Sequence, residues 1–76
     1  MATIREMTLR VLDRETPHTD TDCTYSIVES DGVKVLQIDT YGSKNRRIPG
    51  KVSQSIRFSP AAIGQLKKIL QKHFAD

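Results

Sequence analysis

The sequence predicts a small α+β unit in which four strands are followed by one helix. Three features lead there. A β-prone run holding Tyr25, Ile27 and Val28 stops at Asp31-Gly32 and resumes at Val33, and Asp-Gly is favoured in tight hairpin turns because both residues tolerate positive φ. Residues 51–58 alternate, with Val52, Gln54, Ile56 and Phe58 on one side and Lys51, Ser53, Ser55 and Arg57 on the other. Ser59-Pro60 then stands before an apolar stripe at helical spacing, with Ser59 as N-cap and Pro60 at the first helical position, where its missing N–H costs nothing.

In chain order, residues 3–12 are read as the first strand, since Leu9 and Val11 alternate with Thr8 and Arg10. Residues 13–22 carry Pro17 among Asp13, Glu15, Asp20 and Asp22, and form an exposed acidic loop. Strands over 23–30 and 33–41 make the hairpin. On the second of these, Leu36 and Ile38 share one face with the stem of Lys34, and Val33, Val35, Gln37, Asp39 and Tyr41 share the other. Residues 42–50 form a polar loop dense in cations, a fourth strand covers 51–58, and the helix covers 60–74. Its apolar stripe is Ile63, Leu66, Ile69, Leu70 and Phe74.

The chain of 76 residues is read as a single domain. A domain of that size buries only about 60% of the surface its unfolded form exposes. Cys23 is the only cysteine, so no intrachain disulfide adds stability, and a second subunit is the expected source of further apolar burial. One thiol and the lack of signal-peptide features in residues 1–12 point to a cytoplasmic setting. No apolar stretch approaches the ~20 residues needed to span a bilayer.

The formal net charge is +3, unevenly placed. Residues 1–40 hold four basic and eight acidic side chains (4 − 8 = −4), while residues 41–76 hold eight basic and one acidic (8 − 1 = +7). Such segregation creates a positive field that a polyanion would seek.

Enzymatic constellations are poor. Cys23 with His18 or His73 lacks a third orienting group. His18, Asp20, Asp22 and Cys23 lack the spacing of a calcium loop and the second thiolate typical of zinc sites. No catalytic residue, cofactor or metal is expected. The combination with chemical content lies in the second half. Lys44, Arg46, Arg47 and Lys51 surround a loop returning through Pro49-Gly50. Ser53, Ser55 and Arg57 project from the strand beyond it, beside the hairpin face that holds Gln37 and Tyr41. Cations neutralise phosphates, hydroxyls and an amide form hydrogen bonds with bases, and a tyrosine ring stacks. These are the components of a surface for single-stranded nucleic acid.

In this respect the chain resembles the positive cofactor four family of transcriptional coactivators, over about Tyr25 to Leu70. "DGVKVLQIDTY" is similar to the family's Gly-Lys hairpin and following strand. "IPGKVSQSIRFSP" is similar to its Pro-Gly-basic segment, with Pro49, Gly50, Lys51, Ile56, Phe58, Ser59 and Pro60 on matching types. "SPAAIGQLKKIL" is similar to its helix start, with Ile63 at a tryptophan position and Leu66-Lys67 in register. The resemblance implies a curved four-stranded antiparallel sheet, a C-terminal helix, a dimer formed by the helices, and paired channels for unpaired DNA. It places DNA binding on Lys51 and Tyr41 and the dimer contact on Ile63, Leu66, Ile69, Leu70 and Phe74, with roles in transcription, replication or recombination, and suggests a bacterial or phage relative. Where the family has a stacking tryptophan, a phenylalanine and an arginine, this chain has Gly42, Ser30 and Asp39. Tyr41 and the loop from Lys44 to Lys51 are expected to take over their contacts. The alternatives are an RNA-binding module or a protein-interaction adaptor with an incidental basic surface.

Overall fold

A computed structural model describes residues 1–42 and 51–75. Its elements are β1 (Ala2–Ile4), β2 (Cys23–Ser30), β3 (Val33–Thr40), β4 (Gln54–Phe58) and α1 (Pro60–Phe74). The strands form one sheet in the order β1-β4-β3-β2, with the helix following it.

The β2–β3 hairpin owes its register to its turn. Asp31 (φ 52°) and Gly32 (φ 76°) both adopt positive φ, the mirror-type two-residue turn whose twist matches that of the flanking strands. Ser30 is thereby set against Val33, Ile27 against Leu36 and Tyr25 against Ile38. β4 lies antiparallel on the other side of β3, with Leu36 against Phe58, Gln37 against Arg57 and Ile38 against Ile56. Paired residues share a face, so Leu36, Ile38, Ile56 and Phe58 gather on one side and Gln37, Asp39, Ser55 and Arg57 on the other.

The sheet is mixed, not the fully antiparallel one that the family resemblance implies. β1 runs parallel to β4, pairing Ala2 with Ile56 and Ile4 with Phe58. It is also far shorter than residues 3–12. Phe58 is the last residue of β4, and the chain then turns at the N-cap Ser59, whose amide still donates to the Ile4 carbonyl (3.0 Å). Beyond Ile4 there is no strand left to pair with. The segment instead runs beside the helix, where the Gln65 side chain holds Met7 from both sides. The Met7 amide donates to Gln65 Oε1 (2.8 Å) and Gln65 Nε2 donates to the Met7 carbonyl (3.3 Å). Leu9, Val11 and Leu12 are exposed there, so the alternation of Leu9 and Val11 marks no strand.

β4 begins at Gln54, three residues later than the alternation over 51–58 suggests. The register that sets Gln54 against Thr40 would bring Val52 opposite Gly42. Gly42 has φ 76°, so β3 cannot continue that far. The last strand-like contact is the Ser53 amide donating to the Thr40 carbonyl (2.6 Å).

The helix packs over β3 and β4. Ser59 Oγ accepts from the Ala62 amide (3.1 Å), and Pro60 opens the first turn. Ala62 is the one fully buried side chain among the described residues; Ile63 and Leu66 are half-buried, whereas Ile69, Leu70 and Phe74 are exposed. The apolar stripe is therefore divided: its first turns meet the sheet and its end faces outward. No helix among the described residues is long and apolar enough to cross a membrane.

Ser59→Ala removes the cap acceptor and should lower the unfolding free energy by about 1 kcal/mol in urea titrations. Gln65→Ala should accelerate amide exchange at Met7 while leaving β3 protected; unchanged exchange at Met7 would show that the Gln65 clasp does not hold the segment.

Candidate nucleic-acid interface

The polar face of the sheet is built by alternation on two neighbouring strands. Leu36 and Ile38 are drawn toward the helix, which turns Gln37 and Asp39 to the opposite side. Ile56 and Phe58 do the same for Ser55 and Arg57. Parallel pairing of β1 adds Thr3 beside Arg57, and antiparallel pairing of β2 adds Thr24 beside Asp39.

The side chains form a connected set. Arg57 Nε donates to Gln37 Oε1 (2.7 Å), and Gln37 Nε2 donates to both oxygens of Asp39 (3.2 and 3.1 Å). The Gln37 amide is thus oriented, with its oxygen toward the guanidinium and its nitrogen toward the carboxylate. Hydrogen bonding by Ser55, then by Gln37, holds the Asp39 carboxyl below its ordinary pKa. Partial desolvation opposes this and the Arg57 charge assists it. At the end of β3, Tyr41 is half-buried and its hydroxyl shares a hydrogen bond with Thr24 Oγ1 (2.7 Å). A shallow groove of about 380 Å3 crosses the face, lined by Met1, Ala2, Thr3, Gln37, Ser55 and Arg57.

Gln37, Ser55, Arg57 and Tyr41, all predicted from sequence, therefore lie on one sheet face. Lys51 and Ser53 precede β4 and do not alternate with Ser55 and Arg57 on a strand; Lys51 is exposed. Lys44, Arg46 and Arg47 lie outside the described residues. Sequence reasoning missed Thr3, because the parallel pairing of β1 leaves no mark in the pattern. It also missed Asp39 as a partner in the set, although period-2 alternation already places it on the Gln37 face. Gly42, at the family's tryptophan position, has the left-handed backbone that disfavours a bulky side chain there.

Among the described residues, basic side chains stand on both sides of the sheet. Arg57 belongs to the polar face. Lys68, Lys72 and His73 of the helix, with Arg10, line a second groove of about 650 Å3 whose floor includes Met7, Leu9 and Ile69. Among the described residues, no three His, Cys, Asp or Glu side chains gather as a metal site. Cys23 is a free, exposed thiol at the start of β2.

Comparison with protein-family models, curated proteins and solved structures finds no match to this chain.

The lowered pKa of Asp39 has a consequence for stability. A carboxyl whose pKa is depressed on folding contributes stability above its unfolded value of ~3.9, and that contribution is lost as pH falls through the lower folded value. Asp39→Asn should therefore flatten the acid limb of a stability-against-pH curve below about pH 4; an unchanged limb would show that the carboxylate is not held by its neighbours.

Proposed function

We propose that this protein binds single-stranded DNA on the polar face of its sheet, largely independently of sequence, and that it acts as a binding protein and not as an enzyme. The observation that carries the reading is the grouping of Arg57, Gln37, Ser55, Asp39 and Tyr41 on a sheet face opposite the packed helix. An open sheet face with oriented donors and an aromatic ring suits unstacked bases. Asp39 remains ionised, so phosphates are repelled from its end of the Arg57–Gln37–Asp39 row. Arg57 at the groove, with Lys51 and the cationic residues Lys44, Arg46 and Arg47, supplies the phosphate contacts. Bases meet Gln37, Asp39, Ser55 and the Tyr41 ring.

We further propose that the protein works as a homodimer in a reducing cytoplasm, serving transcription, replication or recombination. Support for self-association is the exposure of Ile69, Leu70 and Phe74 at the helix end, where a copy of the same surface would cover them. The family resemblance supports the same reading. RNA binding is the second reading, favoured by the same groups, and matched DNA and RNA oligonucleotides separate the two because only RNA offers a 2′-hydroxyl.

The test is fluorescence anisotropy with single- and double-stranded oligonucleotides at two salt concentrations. Single strands should bind more tightly, and affinity should fall with salt at a slope of about −0.7 per neutralised phosphate. Equal affinity for duplex, or no binding at low salt, contradicts the reading. Arg57→Ala should weaken binding to all sequences alike. Tyr41→Ala should cost about 1–3 kcal/mol through lost stacking. Tyr41→Phe should keep most of the affinity, and a loss equal to that of the alanine variant would assign the role to the hydroxyl.

A further inference from the structure

β2 is an outer strand of the sheet, and no strand of the described residues lies beyond it. It is eight residues long and contains neither proline nor lysine, two of the devices by which natural edges avoid pairing. Its hairpin geometry determines which main-chain groups are free. The two-residue turn at Asp31-Gly32 makes Ser30 and Val33 a hydrogen-bonded pair. Hydrogen bonding alternates from there, so Ser30, Val28, Ser26 and Thr24 direct their main-chain groups into β3. Glu29, Ile27, Tyr25 and Cys23 direct theirs outward.

The same four residues carry their side chains on the helix side of the sheet, because they pair with Lys34, Leu36, Ile38 and Thr40. The helix packs on β3 and β4, and Tyr25 and Ile27 are left 75% and 63% exposed. Outward main-chain groups and uncovered apolar side chains therefore coincide on one strand.

We propose that β2 pairs antiparallel with β2 of a second copy, across a two-fold axis at Ser26, joining two four-stranded sheets into one of eight. The strand is self-complementary in this register. Tyr25 stands opposite Ile27 of the partner subunit, twice by symmetry, and aromatic against β-branched is a favoured cross-strand pair. Thr24 stands opposite Val28 of the partner subunit. Glu29 stands opposite Cys23 of the partner subunit, so like charges do not meet. An axis at Ile27 would instead set Tyr25 against Glu29 of the partner subunit and lose the apolar pair. The outward groups of Tyr25 and Ile27 become hydrogen-bonded to each other's copies, as an antiparallel ladder requires. A two-fold axis normal to the sheet also puts both helices on one side and both polar faces on the other. This contact is separate from the exposed helix end, so the two together would assemble a dimer of dimers, and it does not depend on nucleic-acid binding.

The register gives a direct test. In a Cys23→Ser background, Ser26→Cys places two thiols at the axis in a non-hydrogen-bonded pair, with Cα atoms about 4.5 Å apart, within disulfide reach. Mild oxidation should cross-link this variant into a covalent dimer. Thr24→Cys in the same background should not cross-link, because four residues of strand, about 13 Å, then separate the copies along the ladder. Cross-linking at Ser26→Cys no greater than at Thr24→Cys overturns the proposal. Independently, Ile27→Lys should halve the mass measured by analytical ultracentrifugation with an unchanged far-ultraviolet spectrum; an unchanged mass also overturns it. Failure of the helix-end contact would instead appear as a mass unaffected by Leu70→Asp, with the Ser26→Cys cross-link intact.

Discussion

The register between β3 and β4 is the constraint on which the molecule depends. Setting Leu36 against Phe58 and Ile38 against Ile56 creates the surface on which the helix packs. The same pairing sets Gln37 against Arg57 and Asp39 against Ser55. A slip of one residue would exchange the two sides of β4, bury a guanidinium and expose Phe58. Packing and recognition are therefore two results of one alignment. The hairpin turn at Asp31-Gly32 protects that alignment from the β2 side, and the end of β4 at the Ser59 cap closes it at the other.

The hydrogen-bonded row from Arg57 through Gln37 to Asp39 gives the face its chemical character. It is not a plain positive patch. The carboxylate at the end of that row offsets part of the guanidinium charge and orients the amide between them. A ligand that sets phosphates near Arg57 and bases over Gln37, Ser55 and Asp39 fits better than a duplex, whose phosphates face outward on every side. The scarcity of buried side chains has a related meaning. With Ala62 alone fully buried among the described residues, and Tyr25, Ile27, Leu70 and Phe74 exposed, much of the apolar surface is available for contacts beyond this chain.

Much of the architecture is legible in the sequence because it follows from local chemistry. The Asp-Gly dipeptide marks the hairpin, Ser-Pro marks the helix start, and period-2 alternation assigns Gln37 and Arg57 to the same kind of face. What is not legible is non-local. The parallel pairing of Ala2–Ile4 with β4 depends on an edge left open by the other strands, and the Met7–Gln65 clasp joins positions 58 residues apart. The antiparallel sheet implied by the family resemblance fails at β1 for that reason. The start of β4 depends on where Gly42 turns the partner strand away, a backbone fact with no signature in the alternation of residues 51–58.

Arg57 stands on the polar face while Lys68 and Lys72 line a groove on the helix side, so the location of binding is the decisive question, and amide chemical-shift mapping with a short oligothymidylate answers it. Binding on the polar face should shift Thr3, Gln37, Asp39, Ser55 and Arg57 and leave the helix amides of Lys68, Ile69 and Lys72 unmoved. Shifts confined to those helix residues and to Met7–Arg10 would contradict it.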